Sequence, residues 1–224
     1  MPDPAPPRPP SGGEPTHSPA RGPAYRVCTP RLVVRCWEPA DAPLLHDAVA
    51  ASLAHLRPWM PWAGEEPKEL DERVEVLRTF RGSFDLGIDF TYGIFDPAEA
   101  QVLGGTGLHP RTRERTLEIG YWIRADHTGR GLATEAAAAL TRVAFEVHGV
   151  HRVEIRCDPL NVRSSAVPAR LGFRKEAVLR ADAQSPDGSP RDTVVWGLLA
   201  DEFPGSHSAC APVEAFDAAL RRIL

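Results

Sequence analysis

"RADHTGRGLATEAAAAL", residues 124–140, places two glycines and an arginine where an alanine-rich helix has to begin. A helix N-terminus exposes N–H groups with no intrahelical partner and the positive end of the helix dipole. Glycines there let an anion reach the backbone without meeting a side chain. Gly129 and Gly131 therefore predict a phosphate cradle, to which Arg130 adds charge and Thr134 a first-turn hydroxyl. The turn is not a dinucleotide fingerprint, which needs G-x-G-x-x-G after a first parallel strand, nor a P-loop, because no G-K-[ST] follows.

Working outward, Leu132, Ala136, Leu140, Val143 and Val147 share one helical face, and Gly149 is placed as the stop. Upstream, "FTYGIF" (90–95), "VLGGTGLH" (102–109) and "LEIGYWI" (117–123) read as an antiparallel meander. Downstream, "RVEIRC" (152–157) is a strand, "NVRSSAVPARLG" (161–172) a short helix and "TVVWGLL" (193–199) a last strand. Nearer the start, "RLVVRCW" (31–37) alternates as a strand, and residues 39–56 read as one or two helices. Leu70, Val74, Leu77 and Phe84 form a helical stripe. The expected fold is a mixed α/β sheet, mostly antiparallel, whose parallel portion surrounds the glycine-started helix.

A chain of 224 residues with 42% hydrophobic content suits one sizeable domain and a tail. Ten of its 23 prolines fall in the first thirty residues without apolar periodicity. Residues 1–24 are therefore expected to be a disordered tail, 25–200 the domain, and 201–224 an extension with a short amphipathic helix, "VEAFDAALRRIL" (213–224). No signal peptide or membrane-length apolar run is seen, which predicts a cytoplasmic protein. Cys28, Cys36, Cys157 and Cys210 are too scattered for a zinc knuckle or redox pair, so no metal is expected, and Cys157 reads as a core residue. The net charge of -4 argues against a nucleic-acid partner, although residues 111–180 carry 13 Lys or Arg against 8 Asp or Glu.

"YWIRADHTGRGLATEAAAAL" (121–140), followed by "RCDPLNVRSSAVPARLGF" (156–173), resembles the GNAT superfamily of N-acetyltransferases, in particular its RimJ/RimL-like branch. The resemblance spans about residues 30 to 200, and its specific part is the order of two motifs, G-x-G/A opening a helix and then N-x-x-S ahead of L-G-F. It implies acetyl-CoA as cosubstrate. The turn Gly129, Arg130, Gly131, Leu132, Ala133 and Thr134 would then cradle the pyrophosphate, and the backbone of Trp122 and Ile123 would pair with the pantetheine arm. Two positions depart from the pattern. Thr128 stands where the family prefers Gln or Arg, leaving His127 or Arg130 to supply that contact. Pro168 stands where many members carry a tyrosine acid, and it predicts a helix over 165–171 capped by Ser164 or Ser165.

Acyl transfer needs a neutral amine, donors for the oxyanion and a proton source for the leaving thiolate. Glu118, on the strand before the turn, is the preferred base and His109 the alternative. Ser164 and Asn161 occupy the N-x-x-S positions and would polarise or protonate the sulfur, or cap the helix. In "LRPWMPW" (56–62) Trp59 and Trp62 would wall an acceptor pocket, with Glu65, Glu66 and Glu69 drawing in a cation. A peptide or ribosomal-protein N-terminus and a small-molecule amine both fit. A homodimer through sheet edges or C-terminal elements is open. The competing class is a non-catalytic acyl-CoA sensor or interaction module, which Thr128 and Pro168 would suit.

Overall fold

The computed structural model describes residues 22–111, 114–185 and 188–224. The chain runs β1 (Arg26–Cys28), β2 (Val33–Cys36), α1 (Ala42–Ala50), α2 (Leu53–Leu56) and α3 (Leu70–Asp85), then the meander β3 (Phe90–Phe95), β4 (Val102–Pro110) and β5 (Thr116–Ile123). α4 (Leu132–Arg142), β6 (Arg152–Cys157), α5 (Val162–Leu171), β7 (Arg174–Gln184), β8 (Pro190–Leu199) and β9 (Glu214–Phe216) complete it. The strands form one sheet in the order β7-β8-β6-β5-β4-β3-β2-β1-β9. Among the described strands only β5 and β6 pair in parallel, and every other neighbour is antiparallel.

Neighbouring strand residues feed two different cores, as alternation in a strand requires. Val34 and Ile94 join a cluster with Leu132, Ala136 and Leu140 of α4, Val143 just beyond it, and Val167 and Leu171 of α5. Val33 and Phe95 join another with Leu45 and Val49 of α1 and Leu77 of α3. Ala136, Ala137, Ala138 and Ala139 are all buried, and their small side chains let α4 lie close against the sheet.

Several expectations shift. α5 starts at Val162, not 165, because Asn161 Oδ1 caps it by accepting from the Ser164 N–H at 3.1 Å, so Pro168 lies inside the helix. The C-terminal amphipathic helix is not formed. Val213, Ala215 and Asp217 are buried alternately with exposed or half-buried neighbours, and Glu214–Phe216 adds to β1 as an edge strand. Asp217 then competes for the backbone: its Oδ1 accepts from the N–H groups of Ala219 and Arg221, turning the chain so that Ile223 N–H donates to Ala215 O. β7 carries no strand signal in the sequence, since most of its residues are exposed and it lacks a buried alternation. Leu70 is exposed, and its place facing inward is taken by Arg73. The expected tail lies outside the described residues up to 21, while Ala24 is fully buried and its carbonyl accepts from Tyr92 Oη at 2.9 Å.

Candidate active site

β5 and β6 pair only from Thr116↔Arg152 to Glu118↔Glu154; beyond that register they part. On its other side β5 stays paired with β4 through Ile123. The β6-facing edge at Tyr121, Trp122 and Ile123 is therefore without a strand partner among the described residues, an edge able to take an extended ligand arm.

The glycine turn sits where this edge ends. Gly129 and Gly131 have φ of 76° and 79°, conformations that favour glycine. Glu135 N–H is the first to find an intrahelical partner, Gly131 O at 3.0 Å, which leaves the N–H groups of Leu132, Ala133 and Thr134 directed out of the helix. The turn is anchored from below, with Ala125 N–H on the buried Ser52 Oγ at 3.0 Å and Arg124 paired to Asp47 and Asp126. Arg130 folds back on its own turn, its Nη2 on Asp126 O at 3.0 Å. A second cation arrives from the β1–β2 connection. Arg31 Nη1 donates to Arg130 O at 3.0 Å and its Nε to Glu135 at 2.6 Å, so the acid in the first helical turn is neutralised. A groove of about 590 Å³ leads away between Arg31, Gly131, Thr134, Ala138 and Arg170. A helix start with free N–H groups, two bare glycines and a guanidinium beside them fits the pyrophosphate of coenzyme A.

On the other side of the splay lies a cavity of about 790 Å³. The glycines of "VLGGTGLH" make room for its walls. A Cβ at Gly105 would overlap the Trp122 indole, and one at Gly107 the His109 imidazole. Trp122 packs on Trp62 with centroids 5.9 Å apart, and Trp59 also lines the cavity. The three candidate acids separate. Glu65 is exposed beside Lys68, Glu69 shares a capping box with Glu72, and Glu66 is buried in a bidentate pair with Arg73, both bonds 2.8 Å.

His109 and Glu118 are direct cross-strand partners and so occupy one face of the sheet, inside the cavity. His109 Nδ1 lies 2.7 Å from Asp89 Oδ1, and Thr91 Oγ1 holds the other Asp89 oxygen at 2.9 Å. A carboxylate can only accept, so Nδ1 carries the proton and Nε2 keeps the lone pair of the neutral ring. Glu118 is only 12% exposed, and its Oε2 takes Arg111 Nε at 2.8 Å and Arg156 Nε at 3.4 Å. Across the splay, Asn161 and Ser164 line the same cavity from α5. Cys157 is not a core residue: it is half-buried, lines the cavity and has Sγ 3.2 Å from Ser165 Oγ. Arg31, Asp89, Arg111 and Arg156 have no local motif to single them out, and Tyr121 reads only as one residue of the strand "LEIGYW".

The acetyltransferase (GNAT) domain family matches residues 31–174. The chain belongs to the GNAT acetyltransferase family. It is 33% identical to the [ribosomal protein uS5]-alanine N-acetyltransferase of Escherichia coli (strain K12) over 189 residues, 82% of this chain and 95% of that protein. Among solved structures, Mycobacterium smegmatis RimJ in complex with CoA-disulfide is 26% identical with a TM-score of 0.70, covering 86% of this chain and 94% of the other. A RimL ribosomal L7/L12 alpha-N-protein acetyltransferase in complex with coenzyme A, 21% identical, shares the fold at a TM-score of 0.70, covering 77% and 96%. This GNAT chain is an N-acetyltransferase with acetyl-CoA as cosubstrate and an amine as acceptor, which sets aside the non-catalytic module. No described helix is long and apolar enough to cross a membrane.

Proposed function

We propose that the protein acetylates the α-amine of a peptide or ribosomal-protein N-terminus in the cytoplasm. The observation that carries this reading is the pairing of His109 and Glu118 on one face of a cavity bounded across the splay by Ser164. An α-amine, with a pKa near 8 against about 10.4 for a lysine-type amine, is partly neutral at pH 7 and within reach of an imidazole base. The alanine of ribosomal protein uS5 in the name of the Escherichia coli relative points the same way, since an alanine residue has no side-chain amine to acetylate.

When bound, acetyl-CoA supplies an activated acyl carbon. The chain's own groups do the rest. The N–H groups at 132–134, with Gly129, Gly131, Arg130 and Arg31, hold the pyrophosphate, and the free edge at Trp122 and Ile123 holds the arm. Glu118, anchored through Oε2, turns Oε1 to the incoming neutral amine and steadies the positive charge that nitrogen gains on attack. With two guanidiniums already on Glu118, the proton passes to His109 Nε2, whose ring Asp89 orients. Ser164 Oγ donates to the departing sulfur, while Asn161 holds the helix start that presents it. Trp59 and Trp62 confine the residue carrying the amine, while Glu65 at the cavity wall is already paired to Lys68 and adds little attraction for a cation. A homodimer through the exposed edge of β7, where Val178 is 43% exposed, belongs to the same proposal and is tested by sedimentation.

The deciding experiment offers acetyl-CoA with synthetic peptides beginning with alanine, the same peptides with blocked N-termini, and a panel of small amines. Mass spectrometry is expected to find acetyl on the free α-amine. Turnover on small amines with none on any peptide would overturn the acceptor assignment. Within the cradle, Gly131→Val is expected to raise KM for acetyl-CoA strongly, because the branched side chain would stand where the phosphate approaches. At φ 79° it also strains the backbone by about 1–3 kcal/mol, so Gly131→Ala serves as the control that carries strain without the bulk. Equal coenzyme affinity in folded Gly131→Val and parent would remove the cradle.

A further inference from the structure

Pro168 sits seven residues into α5 and has no N–H. In a regular helix that N–H would go to the carbonyl four residues back, which is Ser164 O. Such a carbonyl, partly buried, needs another donor. It finds one across the splay: Tyr121 Oη on β5 donates to Ser164 O at 3.0 Å, and Ser164 Oγ donates in return to Tyr121 Oη at 3.3 Å. The phenol thus bridges the two walls between which the coenzyme arm would run. Burial pushes the Tyr121 phenol above its usual range, so it stays neutral and keeps its proton for the Ser164 carbonyl.

We propose that Tyr121 is the positioning residue for the Ser164 hydroxyl, anchored by the carbonyl that Pro168 leaves free. This rests on the reading of Ser164 as the donor to sulfur. At rest the phenol oxygen holds the Ser164 O–H in a single rotamer beside the splay. As the carbon–sulfur bond breaks and its electron pair goes to sulfur, Ser164 Oγ–H turns from Tyr121 Oη to that sulfur and donates a hydrogen bond. No proton leaves Tyr121, and its own bond to Ser164 O persists throughout.

The test titrates the thiol of coenzyme A bound to the full chain, read by thiolate ultraviolet absorbance, in parent, Ser164→Ala, Tyr121→Phe, Pro168→Ala and the Tyr121→Phe/Pro168→Ala double variant. A hydroxyl donor favours the thiolate, so Ser164→Ala is expected to raise the bound thiol's pKa by about one unit. Tyr121→Phe should raise it similarly, and the double variant should keep that rise. Melting temperature should separate from the titration. The loss in Tyr121→Phe is expected to be recovered in the double variant, because residue 168 then supplies its own N–H to Ser164 O. This recovery also secures a folded protein for the titration if Tyr121→Phe alone folds poorly. Titration of the double variant at the parent value would reduce Tyr121 to a substitute for the missing helix bond and overturn the proposal. An unshifted Ser164→Ala would instead remove Ser164 as donor, and the inference with it. A shifted Ser164→Ala beside an unshifted Tyr121→Phe would overturn the inference alone.

Discussion

His109→Gln is expected to lower turnover on an alanine-started peptide by roughly 10²- to 10⁴-fold near pH 7, the range in which a positioned general base acts. Coenzyme affinity should change little, since His109 lines the cavity of about 790 Å³ and not the glycine turn. Parent turnover should rise with pH through an apparent pKa that the Gln variant lacks. Glu118→Gln should keep that limb and lose instead about 10- to 100-fold in kcat/KM for the amine, the worth of one charged hydrogen bond. The reverse pattern, with the limb lost in Glu118→Gln and kept in His109→Gln, would return the base role to Glu118. Measuring near pH 7 matters, because an amine already neutral at higher pH depends less on any base.

Glu66→Gln is expected to destabilise the fold by about 3–5 kcal/mol, as it leaves the Arg73 guanidinium buried without its counter-charge. For a domain of this size that lowers Tm by roughly 6–20 °C. Replacing both residues with apolar ones of similar volume should cost far less, because the penalty lies in the unmatched charge. Burial alone would push the Glu66 carboxyl up, but two hydrogen bonds and the charge of Arg73, with the Lys68 N–H, outweigh it and hold the group below its usual range. A depressed carboxylate contributes stability above its unfolded pKa of about 4.3 and loses it as pH falls through the lower folded value. Parent Tm should therefore drop on acidification below about pH 4, and the Gln variant should lack that component. Equal Tm in parent and variant would show that the pair contributes nothing.

The pair also shows where linear reading stops. Glu66 looks like one of three exposed acids, and nothing within "GEEPKELDER" (64–73) reveals that Arg73 turns inward to meet it. His109 and Glu118 were each legible as candidates, but their adjacency depends on the β4–β5 register, which aligns residues nine apart. Asp89, which decides the tautomer of His109, is twenty residues from it along the chain. Arg31 reaches the glycine turn from a strand connection about a hundred residues away. Pro168 was visible as an anomaly, while its consequence lay with Tyr121, forty-three residues from Ser164.

Local physics determined the rest from the sequence alone. Alternation placed β2, apolar runs bounded by turn residues placed the meander and β6, the 3.6-residue stripe placed α4, and the glycines before that stripe placed the turn that opens it. Each of these depends on groups within one or two turns or one strand, so residue order suffices. The extension at 213–224 shows the limit, since its apolar spacing suits a helix as well as an edge strand. The open edge of β1, present only once the sheet has formed, offers backbone partners that turn it into β9. The parting of β5 from β6 and the cavity beside it were likewise decided by tertiary structure, because they arise between segments and no segment carries them alone.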